Sequence, residues 1–242
     1  MEAKSTKYNI VKAESRGHAS HGWLTSHHSF SFANYYNPER IHFGALRVIN
    51  DDTIAPSEGF GKHPHDNMEI ITIPLRGELS HGDSMGNSSV IREGEIQVMS
   101  AGTGVIHSEV NSSKTDEVEL LQIWVFPNKK SVAPRYEQIV LDKTKLANKF
   151  GQILSPDTKD EGVWIHQNAW FNMGEFEKGI TQDYDVKKAG DGLYIFVIEG
   201  VVNIDGHKLN KRDAITVSDA EKVTVTSEEN SKVLIIEVPM AW

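Results

Sequence analysis

Hydrophobic and polar residues alternate along most of the chain, in short runs that are separated by glycine, asparagine and aspartate. Alternation with a period of two is typical of β-strands that bury one face, and strands at this spacing indicate a sandwich or a barrel. Helical periodicity is scarce, and only "DKTKLANKF", residues 142–150, predicts a short helix capped by aspartate. The pattern therefore predicts an all-β fold. The predicted strands lie at residues 43–50, 68–75, 95–100, 119–126, 193–199, 201–204, 214–217, 223–226 and 233–238.

The two halves of the chain carry the same succession of strands and turns. "TIPLRGELSHGD" resembles "FVIEGVVNIDGH", because each contains a strand, a glycine turn (Gly77 or Gly200) and a second strand. Each half then closes with an apolar run that ends in proline, at Pro127 and at Pro239. Internal similarity of this kind indicates two copies of one structural unit.

Two short motifs in the first half place metal-binding side chains one residue apart. "GKHPHDNMEI" contains His63 and His65, and "GVIHSEV" contains His107 and Glu109. Side chains at i and i+2 on a strand point to the same face, so each pair can face the interior of one barrel. Two such pairs on facing strands would bring together three imidazoles and one carboxylate, which suit a divalent first-row transition metal. Four protein ligands leave two positions of a six-coordinate ion open for substrate or water.

Glu69 is a second carboxylate at a plausible distance along the chain. It follows His65 by four residues and is in phase with both histidines if one strand runs through all of them. Two carboxylates and three histidines would crowd the ion, so we expect one glutamate to bond to a ligand or to substrate instead. The residues alone leave open whether that glutamate is Glu69 or Glu109.

The second copy of the repeat lacks these candidate ligands. Aligning the two glycine turns sets Val186 and Lys188 against the histidines of the first motif. Aligning the strands that follow sets Val225 and Ser227 against the second motif. Packing residues are needed in both copies, whereas the residues of a site are needed only where the site is. The comparison predicts metal binding in the first copy alone.

The composition narrows the possible classes of function. The chain has 25 Lys and Arg against 34 Asp and Glu, a formal net charge of −9, which argues against direct nucleic-acid binding. The absence of cysteine excludes disulfides and thiolate zinc sites. The N-terminus has no apolar segment typical of a signal peptide, and no run is long enough for a membrane helix. We therefore expect a soluble cytoplasmic protein, and a chain with two barrels makes a monomer plausible.

The segments around these motifs resemble the pirin family, a bicupin branch of the cupin superfamily. The resemblance is carried by "GWLTSHHSFSFANYYNPERIHFGALRVINDD", "GFGKHPHDNMEIITIPLRGELSHGDSMGN", "MSAGTGVIHSE" and "QIWVFPNKKSVAPRYEQ". It is close over residues 10–140 and extends to the second half through the β pattern. The resemblance implies two tandem β-barrel cupin domains. Residues 1–135 would form the metal-binding cupin and residues 136–242 a cupin without metal ligands.

The resemblance also implies a ligand set and an activity. In the family the ligands match His63, His65, His107 and Glu109, and the glutamate that matches Glu69 does not bind metal. The implied cofactor is one divalent transition metal, iron first, with manganese, nickel, copper, zinc or cobalt as alternatives. The bacterial members most similar in sequence are assigned as quercetin 2,3-dioxygenases, which use O2 to open the central ring of a flavonol and release CO. Glu109 is then a candidate catalytic base for the flavonol hydroxyl, with Glu69 as the alternative.

Two other classes of function remain open at this point. Pirin-like proteins include metal-bound regulatory modules, in which the metal reports redox state and the protein binds a transcription factor or another partner. A cupin can also be an isomerase or a decarboxylase with the same ligands and without O2. An open pocket lined by aromatic residues would favour the enzyme over the regulatory module.

Aromatic residues and the remaining histidines complete the list of candidates. Large aromatic side chains usually fill barrel cores, but some can stack on a planar substrate. The aromatic candidates are Phe30, Phe32, Phe43, Phe60, Trp124 and Tyr136. The other histidines have no partner at ligand spacing, and we interpret them as surface or hydrogen-bonded residues. These are His18, His21, His27, His28, His42, His81, His166 and His207.

Overall fold

The computed structural model describes residues 5–241, and most of them lie in antiparallel β-strands. The first eleven strands are β1 (Lys7–Val11), β2 (Gly17–Ser20), β3 (Leu24–His28), β4 (Leu46–Ile54), β5 (Gly59–His65), β6 (Glu69–Arg76), β7 (Glu78–Asp83), β8 (Ser88–Arg92), β9 (Glu95–Ser100), β10 (Val105–Asn111) and β11 (Val118–Val125). The other eleven are β12 (Arg135–Val140), β13 (Gly151–Ser155), β14 (Val163–Trp164), β15 (Trp170–Phe176), β16 (Thr181–Asp185), β17 (Asp191–Glu199), β18 (Val202–Ile204), β19 (His207–Leu209), β20 (Ala214–Ser218), β21 (Lys222–Ser227) and β22 (Ser231–Pro239). A 3-10 helix at Ala13–Ser15 and one α-helix, α1 (Lys143–Leu146), complete the elements.

The chain forms two compact units whose bounds interleave along the sequence. The N-terminal unit comprises residues 17–141 and 163–167. The C-terminal unit comprises residues 142–162 and 168–241 together with the described residues 5–16. These bounds differ from a division at residue 135, because β1 belongs to the C-terminal unit and β12 to the N-terminal unit.

The N-terminal unit contains one large and one small sheet. The large sheet has seven strands in the order β12-β9-β6-β11-β4-β3-β2, and the small one has four in the order β5-β10-β7-β8. β6 lies inside the large sheet, and its first six residues, "EIITIP", are all buried. By contrast β10 alternates buried and exposed residues, the period-two pattern of a strand with one face in the interior.

The C-terminal unit repeats this topology, which confirms the predicted all-β fold with two cupin barrels. Its large sheet contains β1-β20-β17-β22-β15-β13, and its small sheet contains β16-β21-β18-β19. The strands β4 to β11 thus correspond one by one to β15 to β22. The edge strand is the exception, since β1 occupies in this unit the place that β12 occupies in the other.

The predicted alignment of the second copy with the first was wrong by four residues at β5. In the N-terminal unit His63 pairs with His107, and in the C-terminal unit Gln182 pairs with Val225. With Val225 at the position of His107, Gln182 and Tyr184 occupy the positions of the first histidine pair, rather than Val186 and Lys188. The strand β16 contains no histidine, so the inferred difference between the copies holds in the corrected register.

The predicted helix is real but shorter than the sequence pattern. Asp142 is its N-cap and accepts a hydrogen bond from the backbone N–H of Thr144 at 2.9 Å. The helix ends at Leu146, because Ala147 has an extended backbone and bridges to Glu175. Among residues 5–241, no helix is both long enough and apolar enough to cross a membrane.

The apolar interior of the C-terminal unit predicts a large cost for truncating its central residues. Ile235 on β22 is 0% exposed and belongs to a core of valine, leucine and isoleucine. We expect Ile235→Ala to lower the free energy of unfolding by about 2–5 kcal/mol, through lost burial and the cavity left behind. Val140→Ala is the control, because Val140 is 75% exposed and its loss should cost under about 0.5 kcal/mol. Urea unfolding of both variants measures this, and equal midpoints would contradict the assignment of Ile235 to the core.

Candidate metal centre

Three histidine rings converge at the junction of β5 and β10 in the N-terminal unit. These strands are hydrogen-bonded neighbours in the small sheet, with His107 paired to His63 and Val105 paired to His65. The expectation of facing strands was therefore wrong, and the rings meet across one antiparallel pair. The ring centroids lie 4.3 Å apart for His63–His107 and 4.9 Å apart for His63–His65 and for His65–His107. One ligand nitrogen from each ring lies within 4.8 Å of the other two, close enough to hold one ion.

Glu109 is buried and lies beside His107. The register between β10 and β5 shifts between His107 and Glu109, so that Glu109 pairs with Phe60. A shift of this kind is a β-bulge, which redirects side chains next to many functional sites. The carboxylate forms a second group of potential ligands with His81 and His107, all within 4.8 Å of one another. His107 is therefore shared by both groups.

The histidine ring nitrogens are placed to bind a metal ion, because several of them have no hydrogen-bond partner in the protein interior, within the part of the chain that the structure describes. His107 is 2% exposed, and within residues 5–241 neither of its ring nitrogens has a hydrogen-bond partner. An imidazole buried without partners is costly unless something else satisfies it. His63 Nδ1 lies 2.7 Å from the carbonyl oxygen of Gly61, to which it can donate, leaving the Nε2 lone pair for an ion. This donor set fits a divalent first-row transition metal.

The environment keeps two of the imidazoles, those of His65 and His107, in the neutral form that binds metals. Burial lowers the pKa of His107 to about 3, with further contributions from the neighbouring His63 and His65. Burial also lowers the pKa of His65 to about 4, again with a contribution from His63. Neither ring has to lose a proton at neutral pH before it binds an ion.

The carboxylate of Glu109 is buried and accepts hydrogen bonds from two side chains of the large sheet. Burial raises the pKa of its carboxyl group, and hydrogen bonds oppose that rise. Gln122 Nε2 donates to both carboxylate oxygens at 3.2 and 3.0 Å, and the Thr72 hydroxyl donates at 3.3 Å. These donors fix the orientation of the carboxylate.

The donors belong to a row of polar side chains across the large sheet, which we call the polar row. Each member pairs directly with the next on the neighbouring strand. The row runs through Gln138, Gln97, Thr72, Gln122, Asn50 and His28. At the matching place in the C-terminal unit, Ile215, Ile195, Ile235 and Asn172 pair in the same way. Among the described strands, the polar row is thus a feature of the unit with the histidine cluster, and isoleucine holds most of the matching positions in the other unit.

Glu69 lies in a different environment from the cluster. It is 1% exposed, accepts a hydrogen bond from the Ser100 hydroxyl at 2.7 Å, and lies near Arg135. Burial raises its pKa to about 7. The expected phase with the histidines fails because β5 ends at His65 and β6 begins at Glu69, with Asn67 between them in the left-handed region at φ 44°.

The interpretation of His81 as a surface or hydrogen-bonded residue is confirmed, but His81 also has His107 and Glu109 within ligand distance, which the sequence analysis missed. It is 3% exposed, its Nε2 lies 3.0 Å from Asp83 Oδ2, and its ring centroid lies 5.4 Å from that of His107. Spacing along the sequence does not indicate that His81 lies beside His107, because His81 reaches the site through the pairing of β7 with β10. The interpretation of His28 is confirmed, since this buried ring bonds to Asn50 Oδ1 at 2.8 Å.

A cavity of about 150 Å³ adjoins the cluster. Of the aromatic candidates, Phe32, Phe60 and Trp124 line it, together with the three histidines. Phe32 and Trp124 meet edge to face with centroids 5.3 Å apart, and Trp124 lies 4.9 Å from His65. The remaining candidates lie elsewhere: Phe30 is buried in the core, Phe43 forms a bridge with Leu46, and Tyr136 packs on His81.

Comparison with known proteins gives matches along nearly the whole chain. The family described as "Pirin" matches residues 10–125, and "Quercetinase C-terminal cupin domain" matches residues 152–238. The quercetin 2,3-dioxygenase of Escherichia coli K12 is 42% identical over 95% of this chain and 98% of its own. A pirin-like protein of Caulobacter vibrioides is 37% identical over 91% of this chain and 95% of its own. The crystal structure of a bacterial pirin from Escherichia coli in complex with nickel(II) superposes with a TM-score of 0.91 at 40% identity, covering 96% and 99% of the two chains.

The burial of Asp52 beside the cavity predicts that replacing this residue raises the free energy of unfolding by an amount that depends on pH. Burial raises its pKa from 3.8 to about 7, against the hydrogen bond from Ser26. As the pH rises from 3.8 to about 7, the carboxyl group of Asp52 ionises in the unfolded chain but stays protonated in the folded one. The free energy of unfolding therefore falls over this range. Above pH 7 this loss is complete. Asp52→Asn removes this loss of stability. At 1.36 kcal/mol per pKa unit, the substitution should stabilise the metal-free protein by up to about 4 kcal/mol at pH 8, and by much less near pH 4.

Urea unfolding of the metal-free protein between pH 4 and pH 8 measures this effect. Asp160→Asn is the matched control, because it makes the same change of side chain on an exposed loop. Equal stability of wild type and Asp52→Asn across the range would show that Asp52 does not carry this penalty.

Proposed function

The chain belongs to the pirin family, and from that membership and the site geometry we propose that it is a metal-dependent dioxygenase. In this proposal it opens the central ring of a flavonol with O2 and releases CO, as the name of its quercetin 2,3-dioxygenase relatives indicates. The observation that carries the proposal is the convergence of three buried or half-buried imidazoles on an aromatic-lined cavity. A ligand set of this kind beside an accessible cavity supports catalysis rather than a purely structural ion.

The proposed ligands are His63, His65, His107 and Glu109. The cofactor is one divalent transition metal, with iron as the first expectation and manganese, nickel, copper, zinc or cobalt as alternatives. Such an ion supplies positive charge that lowers the pKa of an oxygen acid by several units. A flavonol presents its 3-hydroxyl beside a 4-keto group, and the 3-hydroxyl is the acid in question.

Glu109 is the proposed base for the 3-hydroxyl proton. Its enclosure raises its pKa, which makes the carboxylate a stronger proton acceptor than an exposed glutamate. Gln122 and Thr72 hold it in a fixed orientation by hydrogen bonds. Glu69, the alternative base, bonds to Ser100 and does not line the cavity, whereas Glu109 does, which favours Glu109.

The cavity favours a substrate that enters end first. About 150 Å³ is the volume of a cavity that holds one benzene-sized ring. The chelating end of a flavonol would lie inside, and the rest of the molecule would extend toward solvent. Phe32 and Trp124 would then contact the flat faces of the inner ring.

The first test of the proposal follows quercetin and metal together. We expect wild type to consume O2, to bleach the flavonol absorbance band, and to contain about one metal ion per chain. His107→Ala should lose the metal and at least about 100-fold in turnover, since the ring shared by both ligand groups is gone. His27→Ala, a change of another histidine in the N-terminal unit, should keep both. Metal-loaded wild type that leaves quercetin unchanged would exclude this substrate and favour the regulatory alternative.

A second test isolates the role of Glu109. Glu109→Gln keeps the shape and removes the base, and general bases contribute about 10²–10⁴-fold to rate. Because Glu109 is also a proposed ligand, kcat is compared per bound metal ion. We expect kcat to fall by that factor and the acid limb of the pH–rate profile to disappear. Glu69→Gln is the control and should retain the wild-type profile. A profile in Glu109→Gln that matches wild type would rule out Glu109 as the base.

A further inference from the structure

One wall of the cavity is carried by a loop rather than by a sheet. Within residues 5–241, every residue that lines the cavity stands on a strand of the two sheets except Phe32. Phe32 forms an isolated β-bridge with Tyr35, in the segment between β3 and β4. The backbone N–H of Phe32 donates to the carbonyl oxygen of Tyr35 at 3.0 Å, and the N–H of Tyr35 donates back at 2.9 Å. We call residues 32–35 the cavity hairpin.

The turn and the base of the cavity hairpin are both held in place. The turn consists of Ala33 and Asn34, and Ala33 has a left-handed backbone at φ 48°. A residue other than glycine keeps this conformation only where the surrounding structure holds it. At the base, Arg47 Nη1 donates to the carbonyl oxygens of Ser31 and Ile41 at 2.8 and 3.0 Å. These bonds fix the point at which the hairpin leaves the large sheet.

The side chain of Tyr35 anchors the hairpin to the edge of the large sheet. Its ring stacks on the ring of His28, with centroids 6.3 Å apart and planes at 26°. It also covers Gly17 on the edge strand β2, and Gly17 is buried. A Cβ atom at Gly17 would overlap the ring of Tyr35. Only a residue without a side chain therefore lets Tyr35 lie where it does.

The ring of Phe32 extends from this anchor to the opposite wall of the cavity. Its centroid lies 5.3 Å from that of His28 and 5.3 Å from that of Trp124. Because backbone hydrogen bonds join Phe32 to Tyr35, a displacement of the Tyr35 ring is passed on to Phe32. The cavity, about 150 Å³, has room for about one benzene-sized ring. A small movement of this wall therefore changes which ring systems fit.

We propose that Phe32 determines the size of the ring system that the cavity admits, and that Tyr35, seated on Gly17, is the positioning residue for Phe32. One planar ring enters beside Trp124, and the second ring of a fused pair stays outside while Phe32 is in place. The ring-size selection rests on the proposed function, because it concerns the aromatic substrate of that site. The placement of Phe32 depends on neither metal nor substrate.

Two neutral probes, phenol and 2-naphthol, measure the ring-size selection in the metal-free protein. Each carries one hydroxyl group, and they differ by one fused ring. Apolar pockets discriminate about 10–200-fold even between ligands that differ by one methylene. We expect Phe32→Ala to raise the affinity for 2-naphthol relative to phenol at least about tenfold over wild type. Titrations followed by the indole N–H resonance of Trp124 give the dissociation constants.

Phe43→Ala is the matched control for this comparison. It makes the same change of side chain in the same segment between β3 and β4, but Phe43 does not line the cavity. The ratio of the two affinities should therefore stay at its wild-type value in this variant.

The same resonance tests the link between Gly17 and Phe32 without any probe. The Trp124 indole senses the ring current of Phe32, because the two rings meet edge to face. Gly17→Ala has to displace the Tyr35 ring, so we expect it to move the Trp124 resonance. In a Tyr35→Ala background the added methyl meets no ring, and Gly17→Ala should have no further effect. Gly82→Ala is the matched control, since a Cβ there comes no closer than 3.8 Å to its neighbours.

The outcomes separate the two parts of this inference from each other and from the proposed function. An unchanged ratio of probe affinities in Phe32→Ala, or a cavity that binds neither probe in wild type and variant, would overturn the role of Phe32. A Trp124 resonance that Gly17→Ala leaves in place, or moves equally in the Tyr35→Ala background, would overturn the role of Tyr35. If Gly17→Ala does not fold, Tyr35→Ala alone decides, because it removes the anchor without a clash and should also move the resonance. Metal-loaded wild type that leaves quercetin unchanged, while the probes behave as expected, would reject the proposed function alone.

Discussion

The interior of the N-terminal unit is organised around a carboxylate that has been taken out of water. An isolated buried charge is costly, and the cost falls only when donors and counter-charges surround it. Glu109 has Gln122 and Thr72 as donors, and it lies beside His81 and His107. Both donors are members of the polar row, so this buried carboxylate accounts for two of the polar residues deep in the β-barrel.

The two units show that topology and chemistry vary independently. Strands β4 to β11 and β15 to β22 follow the same order, yet isoleucine fills the middle of the row in the C-terminal unit. There, Tyr184 stands in the position of His65 and donates its hydroxyl to Glu237 at 2.8 Å. The backbone N–H groups of Lys187 and Lys188 also bond to Glu237. The same frame thus holds a self-satisfied polar cluster in one copy and unpartnered imidazoles in the other.

The sequence predicted the parts of the site that are local in the chain. The fold class, the repeat and the two i, i+2 pairs depend on alternation within single strands, and the structure brings His63, His65 and His107 together. The errors concern what lies between strands. Asn67 has a left-handed backbone and interrupts the alternation that would place Glu69 on the same face as His63 and His65. His81 enters through the register of β7 against β10, which no spacing along one strand encodes.

The edge strand β1 has a consequence for how the protein is made. It pairs with β20, so a segment near the start of the chain must wait for residues 214–218 before it finds its place. At a synthesis rate of about 5–20 residues per second, that interval is roughly 10–40 s. During this time "KYNIV" is an unpaired strand on a growing chain, and its lysine and asparagine make it a poor template for other chains. A strand that precedes the N-terminal unit in the sequence therefore completes the large sheet of the unit that follows it.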